Sequence, residues 1–342
     1  MAVLRSGVHA PQQPIPRGSR VRRWLGHLFR EWTIESWRPI APAFARPEPS
    51  TWSDSQVTLA WLGHSTVLIN FFGVTILTDP VLFARVGIRL PGITLGPKRL
   101  TAPALHFHEL PQIDVILLSH AHFDHLDLRT LHCFNESTRV ITAPATSDLL
   151  KRTHFSDVSE LDWNESKRLN TARGEIEITA FPVKHWGART QRDMHRGYNG
   201  YLIERSGRRI LFAGDTAMTE TFEELRPHGT IDVAIMSIAA YNPWVQSHCT
   251  PEQAVQMANA AGARFIVPVH HQTFRLSFEP FREPIDRFQA ALSKLLSALR
   301  CGKLARHSWC ICRAFVWSGA GCNVLPVSAD VAQPVEQRFR KP

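Results

Sequence analysis

The chain has 342 residues and a formal net charge of +9, long enough for one large or two small hydrophobic cores. No apolar run approaches the ~18–20 residues that span a bilayer, and six scattered cysteines make no disulfide framework for a chain this long, which favours a reducing setting. The charge is uneven: residues 1–50 hold eight Arg against three acids, residues 301–342 hold six Lys/Arg against two, and residues 51–300 hold 25 of each sign. A neutral central region lacks the basic face of a nucleic-acid enzyme, so no nucleic-acid partner is expected. Without an apolar N-terminal stretch followed by a small-residue cleavage site, no secretory signal is read, and a cytoplasmic location is expected.

Residues 1–50 read as a basic N-terminal arm. Its first 20 residues are rich in Pro, Gln, Arg and Ser. Apolar residues then recur at 21, 24, 25, 28, 29 and 32, the helical period, with Arg22, Arg23 and Arg30 off that stripe. Such a helix either docks on its own domain or lies in a membrane interface, giving peripheral contact through residues 21–37. From residue 57 the texture becomes β-rich. Val57–Leu62, Thr66–Phe71 and Val74–Leu77 are spaced as a meander, with Phe72-Gly73 as a hairpin turn. Residues 85–112, with four prolines and no clear period, read as a long loop.

Ile113–Ser119 reads as a buried strand and Asp127–Phe134 as the helix after it. Further strands are expected at 139–142, 176–182, 200–204, 209–213, 232–237 and 264–269. Helices are expected at 147–152, 220–226, 251–261 and 284–299. Thr250-Pro251-Glu252-Gln253 is a capping box with Pro at the first helical position. Hairpins together with crossovers imply an α+β architecture, an αβ/βα sandwich of two mixed β-sheets packed face to face with helices outside. The main domain is placed at 51–300. Residues 301–342 hold four cysteines (Cys301, Cys310, Cys312 and Cys322) without the paired Cys-x2-Cys spacing of a zinc site. They are expected to form a poorly ordered basic tail outside the catalytic unit.

The chemistry concentrates in Ser119-His120-Ala121-His122-Phe123-Asp124-His125, where four metal-ligating side chains follow a buried strand within six residues. Three more candidates end expected strands: His185 after Phe181–Lys184, Asp215 in Gly214-Asp215-Thr216, and His270 after Phe265–Val269. Ligands repeated at strand exits suit one pocket at a common sheet edge.

This order of motifs resembles the metallo-β-lactamase superfamily. It is most similar to the branch of N-acylphosphatidylethanolamine-hydrolysing phospholipases D. The match runs through Trp61–Thr66, Leu77–Pro80, Gly96–Arg99, Ser119–Asp127, Lys184–Trp186 and His270–Phe274, over roughly residues 52–285. The resemblance implies two Zn2+ ions, though imidazole and carboxylate ligands accept other divalent metals. By motif, His120, His122 and His185 would hold one ion and Asp124, His125 and His270 the other, with Asp215 bridging. His270 rather than His271 is chosen by the motif match alone, and the chain departs from the usual Trp-Gly by His271-Gln272. Asp79 is expected to orient a metal-bound imidazole, and His64 stands either beside it or in a structural role. Trp186 and Tyr241 are candidates to line the pocket, a core role being equally open for Tyr241.

The resemblance implies a metal-dependent hydrolase, with Asp124 orienting the nucleophile or relaying a proton. Its leading substrate is a phosphodiester lipid cleaved on the head-group side. The alternative is a soluble hydrolase of another bond, such as a sugar-phosphate lactonase, since one fold serves many reactions. A homodimer, and attachment to the inner face of a membrane, complete the expectations.

Overall fold

A computed structural model describes residues 35–301, 314–318 and 321–322. The amphipathic stretch at 21–32 lies outside these residues, as does most of the C-terminal extension.

Two sheets form the body. The first has the order β16-β15-β1-β2-β3-β6-β7-β8. Its centre is the expected meander, β1 (Val57–Gly63), β2 (Thr66–Phe71) and β3 (Val74–Thr78), all antiparallel. Parallel strands β6 (Val115–Leu118), β7 (Arg139–Thr142) and β8 (Val158–Glu160) extend it from β3. On the other side of β1 lie β15 (Ala314–Ser318) and β16 (Gly321–Cys322), with β15 antiparallel to β1. The second sheet has the order β14-β13-β12-β11-β10-β9. Strands β9 (Ser166–Thr171) to β12 (Arg208–Phe212), through β10 (Gly174–Phe181) and β11 (Gly200–Arg205), are antiparallel. Strands β13 (Ile231–Ser237) and β14 (Ala263–Val269) are parallel additions.

Alternation along the strands explains the layering, because successive side chains point to opposite faces. Val115 and Leu117 of β6 join the core between the sheets, with Ile69, Ile76, Ile178, Ile203 and Ile235. Ile116 and Leu118 point outward to a second core with Leu131 and Phe134, which covers the outer face of the first sheet. The outer face of the second sheet packs Leu211, Ala234 and Ile266 against two helices. These are α2 (Pro251–Ala260) and α3 (Glu283–Cys301), following the short α1 (Leu128–Leu131). The Thr250 capping box at the start of α2 is formed. The molecule is thus the expected α+β sandwich of two mixed sheets with helices outside.

The local readings differ from the structure where short-range signals compete. Residues 147–150 and 220–228 form 3-10 rather than α-helix; Pro227 lies inside the second, and short turns close as readily with the tighter bond. Residues 85–112 contain a hairpin, β4 (Ile88–Leu90) paired with β5 (Ile93–Leu95). Its apolar residues are exposed in β4 and only half-buried in β5, so no burial pattern announces it. Strand β9 was not foreseen because Ser-Lys-Arg-Leu-Asn-Thr is a polar edge strand in which Leu169 alone is buried.

One glycine decides how the site loops meet. A Cβ on Gly187 would stand 2.1 Å from the Gly197 carbonyl oxygen and 2.5 Å from that of Arg196. Backbone cannot yield as a side-chain tip can, so Gly187→Ala should cost about 3 kcal/mol. A lowered urea midpoint is the expected reading.

Candidate metal centre

Each candidate ligand enters from a strand end or the loop beyond it. β6 leads into the His120–His125 run, β10 into His185, β12 into Asp215 and β14 into His270. His64 follows β1 and Asp79 follows β3. Three of these residues, His64 (φ 53°), Asp79 (φ 33°) and His270 (φ 65°), have left-handed backbone that non-glycine residues rarely adopt. Such strain persists only where the surroundings enforce it. Here the His270 amide donates to the His64 carbonyl at 2.9 Å and the His64 amide to Thr273 Oγ1 at 2.7 Å. The Asp79 amide donates to the Leu117 carbonyl at 2.9 Å.

Two ligand groups face one another. In the first, His120 Nε2 lies 2.7 Å from His122 Nδ1, which is 3.4 Å from His185 Nε2. In the second, His125 Nε2 and His270 Nε2 each lie 3.5 Å from Asp124 Oδ2. Asp215 connects them, its Oδ2 standing 3.1 Å from both His125 Nε2 and His270 Nε2 and 3.8 Å from His185 Nε2. The structure therefore gathers the other six sequence-selected ligand candidates about Asp215.

The donor set can be tested for fit to metal. Buried polar atoms ordinarily find partners. Yet Asp215 Oδ1 is buried without a hydrogen-bond partner, His125 Nε2 and His270 Nε2 crowd onto the same Asp215 oxygen, and three imidazole nitrogens of the first group converge within 4.8 Å. Neutral nitrogens and carboxylate oxygens aimed inward, with no thiolate among them, suit two divalent ions such as zinc or iron. The residues fit.

The charges agree with that reading. Burial, reinforced by the neighbouring imidazoles, lowers His122 to about 3. Burial likewise takes His185 to about 4 against the pull of Asp215, and His120 well below its usual range. These rings are neutral at pH 7, as metal ligands must be. In the second group burial is outweighed: Asp215 and Asp124 hold a proton on His270, raised to about 9, and on His125. Burial would raise Asp215, but His270, His125 and His248 keep it well below the usual carboxylate range. A divalent cation would supply the positive charge those protons carry.

The surroundings fix the ring orientations. Asp79 is fully buried and accepts from His125 Nδ1 at 2.6 Å, Ser119 Oγ at 2.6 Å and the Ser119 amide at 2.7 Å. His185 Nδ1 donates to the Ser247 carbonyl at 2.9 Å. These bonds leave each Nε2 turned inward. Asp79→Asn removes one acceptor and should lower metal affinity about 10–100-fold, measurable by competition with a chromogenic chelator. His64 Nε2 lies 2.9 Å from Asp124 Oδ2. His271 points elsewhere, stacked on Trp61 at 4.5 Å. Trp186 packs edge-on against His122, 4.7 Å between centroids. The Tyr241 hydroxyl donates to Glu283 Oε1 at 2.9 Å, beneath the Arg287 guanidinium.

Two residues were not foreseen. His248 Nδ1 stands 3.6 Å from Asp215 Oδ2, and burial holds the ring well below its usual pKa. Nothing in Gln246-Ser247-His248-Cys249 marks it. Arg189 donates from Nε to the Ala121 carbonyl at 2.7 Å and from Nη2 to the Leu126 carbonyl. It clamps the ligand loop at both ends, its guanidinium 4.6 Å from the Phe123 ring centroid. Beside His270 a cavity of about 340 Å³ opens between the 239–240 and 274–281 segments.

The chain matches the family described as Beta-lactamase superfamily domain over residues 75–271. It is 33% identical over 267 residues to an uncharacterized protein of Mycobacterium tuberculosis, covering 74% of this chain and 69% of that one. It is 30% identical over 252 residues to N-acyl-phosphatidylethanolamine-hydrolyzing phospholipase D 1 of Caenorhabditis elegans, covering 69% and 70%. Among solved structures, a metallo hydrolase from Ignicoccus hospitalis superposes with a TM-score of 0.55 at 19% identity, covering 77% of this chain and 99% of that one. A diiron β-hydroxylase from Streptomyces venezuelae gives 0.52 at 20% identity, covering 77% and 54%. The match spans the strands that deliver most of the converging ligands, from β3 to His270, and on that ground the chain belongs to the β-lactamase superfamily as a metallo-hydrolase.

Proposed function

We propose that the protein is a zinc-dependent phosphodiesterase with a dinuclear centre, of phospholipase D type, acting on N-acylphosphatidylethanolamine-like lipids. The observation that carries the reading is the paired ligand set meeting at Asp215 Oδ2, in a chain 30% identical to a phospholipase D of that specificity. His120, His122 and His185 would hold one ion, Asp124, His125 and His270 the other, with Asp215 shared. Two bound ions supply Lewis acidity and a hydroxide nucleophile at neutral pH. The chain's own residues do the rest. Asp124, kept ionised by His125, His270 and His64 despite its burial, is placed to orient the nucleophile and to accept its proton. His248, uncharged beside Asp215, offers a nitrogen to a phosphoryl oxygen, and the Trp186 ring beside His122 walls the approach.

Iron in place of zinc suits the same donors, and a diiron β-hydroxylase of Streptomyces venezuelae shares the fold. The reading includes residues 21–37 as a peripheral membrane contact, a homodimer, and a place on the inner face of a membrane. Its test combines metal analysis with hydrolysis of N-acylphosphatidylethanolamine vesicles, bis-(p-nitrophenyl) phosphate and a panel of sugar-phosphate lactones. Release of phosphatidic acid and two equivalents of zinc are expected. Turnover of lactones alone would put a lactonase in its place. Asp124→Asn should slow diester turnover about a hundredfold and weaken the hold on the ion it would help to bind; unchanged turnover would remove Asp124 from the chemistry.

A further inference from the structure

Trp61 lies near the exit of β1, half-buried and three residues before His64. Its indole Nε1 donates to the His64 carbonyl at 2.6 Å. The same carbonyl accepts the His270 amide at 2.9 Å. One oxygen therefore joins Trp61 to two left-handed residues of the site, His64 (φ 53°) and His270 (φ 65°). The indole ring is engaged as well. His271 stacks on it at 4.5 Å between centroids and 20° between planes, and Phe44 stacks on it at 6.3 Å and 12°. Phe44 belongs to a segment that the sequence assigns to the N-terminal arm, yet backbone bonds tie that segment to the site. The Ala41 amide donates to the Leu100 carbonyl at 2.9 Å, and the Ala41 carbonyl accepts the Ala102 amide at 2.8 Å. The Leu100 amide donates in turn to the Thr273 carbonyl at 2.7 Å.

We infer that Trp61 is a positioning residue for the second ligand group, setting where His270 Nε2 and Asp124 Oδ2 stand. A non-glycine residue stays in the left-handed region only where its surroundings hold it there. At His270 those surroundings are the amide bond to His64 and the stack that keeps His271 turned away, and Trp61 takes part in both. The route to Asp124 passes through His64. Its Nε2 lies 2.9 Å from Asp124 Oδ2, and its ring packs 4.1 Å from that of His270. None of these bonds reaches the first group, His120, His122 and His185. A tryptophan that only filled the core would, when replaced, loosen both groups alike. Trp61 should act on one. This role rests on the dinuclear reading and on no particular substrate.

The full chain and its Trp61→Phe variant are stripped of metal and titrated with Co2+, whose visible absorbance reports each ion as it meets imidazole and carboxylate ligands. The variant keeps a ring for His271 and Phe44 to stack on and removes the N–H. Uptake of one ion should weaken about tenfold, the loss expected when an outer hydrogen bond that orients ligands is removed. The other ion should bind as before, which also reports an intact fold. If Trp61→Phe does not fold, Phe44→Ala carries the test: it leaves the N–H, takes away a stacked ring and should weaken the same ion by a smaller factor. His271→Phe preserves the stack and should leave both ions in place. Loss of an ion there would make His271 a ligand and overturn the inference. Equal affinities in Trp61→Phe and the unsubstituted chain would overturn it, as would equal weakening of both ions, the mark of a general loosening. An unsubstituted chain that takes up a single ion would remove the dinuclear reading itself, and this role of Trp61 with it.

Discussion

Asp215→Asn is expected to reduce hydrolysis of any substrate by about a thousandfold or more. Asp215 Oδ2 stands within 3.8 Å of three imidazole nitrogens belonging to two ligand groups. No other carboxylate among the described residues has that position. An amide has the same shape but lacks the charge, and half of its polar end repels a cation. The loss should therefore appear in metal content as well as in turnover. Atomic absorption is expected to show at least one ion missing per chain. A variant that retains both ions and full turnover would show that Asp215 merely holds the histidines in place. Since Asp215 is almost wholly buried, circular dichroism and the thermal midpoint must accompany the assay. The buried charge lost by the substitution will itself shift stability.

Removing the metal should lower the thermal midpoint by about 5–10 °C, because ions bound to the folded state alone stabilise it by mass action. The pH dependence of the stripped protein is the sharper reading. His64, His122 and His185 have folded-state values of about 3, 3 and 4 against the usual 6.5. Between those values and 6.5 the unfolded chain binds more protons, so stability falls as pH drops below about 6.5. His270 is raised to about 9. Its contribution is full below 6.5 and disappears as pH rises through about 9. The stripped protein should thus be most stable near neutrality and lose stability on both sides. With metal bound the alkaline loss should vanish, because the ion replaces the proton on His270. Differential scanning calorimetry across pH 4–10, with and without chelator, checks both arms (the range set by these shifts). A flat profile for the stripped protein would refute the charge assignment.

Ile113–Leu118 and the ligands after it were readable because a buried strand and a ligand cluster are both local, and their spacing lies in the sequence. The meander β1–β3 was readable for the same reason, through alternation and a Phe72-Gly73 turn. His248 was not, since a single histidine before a capped helix carries no pattern. It matters because the fold brings it within 3.6 Å of Asp215. Arg189 was hidden likewise: its use is to hold two carbonyls some 63 to 68 residues earlier in the chain. The hairpin at 88–95 escaped because its apolar side chains face outward, where burial leaves no period to read.

By itself the sequence determined the sandwich and the seven ligand candidates, because metal ligation demands particular side chains at strand ends and hydrophobic alternation demands particular faces; their division into two groups came from the resemblance of the motifs. The tertiary structure alone decided which nitrogen of His125, His185 and His120 points inward, through Asp79, Ser247 and Ser119. It also gave the physical reason for the motif's choice of His270 over His271: a left-handed backbone at His270 turns the two rings apart, so that His270 faces the carboxylates. Orientation depends on hydrogen bonds between segments far apart in the chain, and such bonds exist only once the sheets have packed.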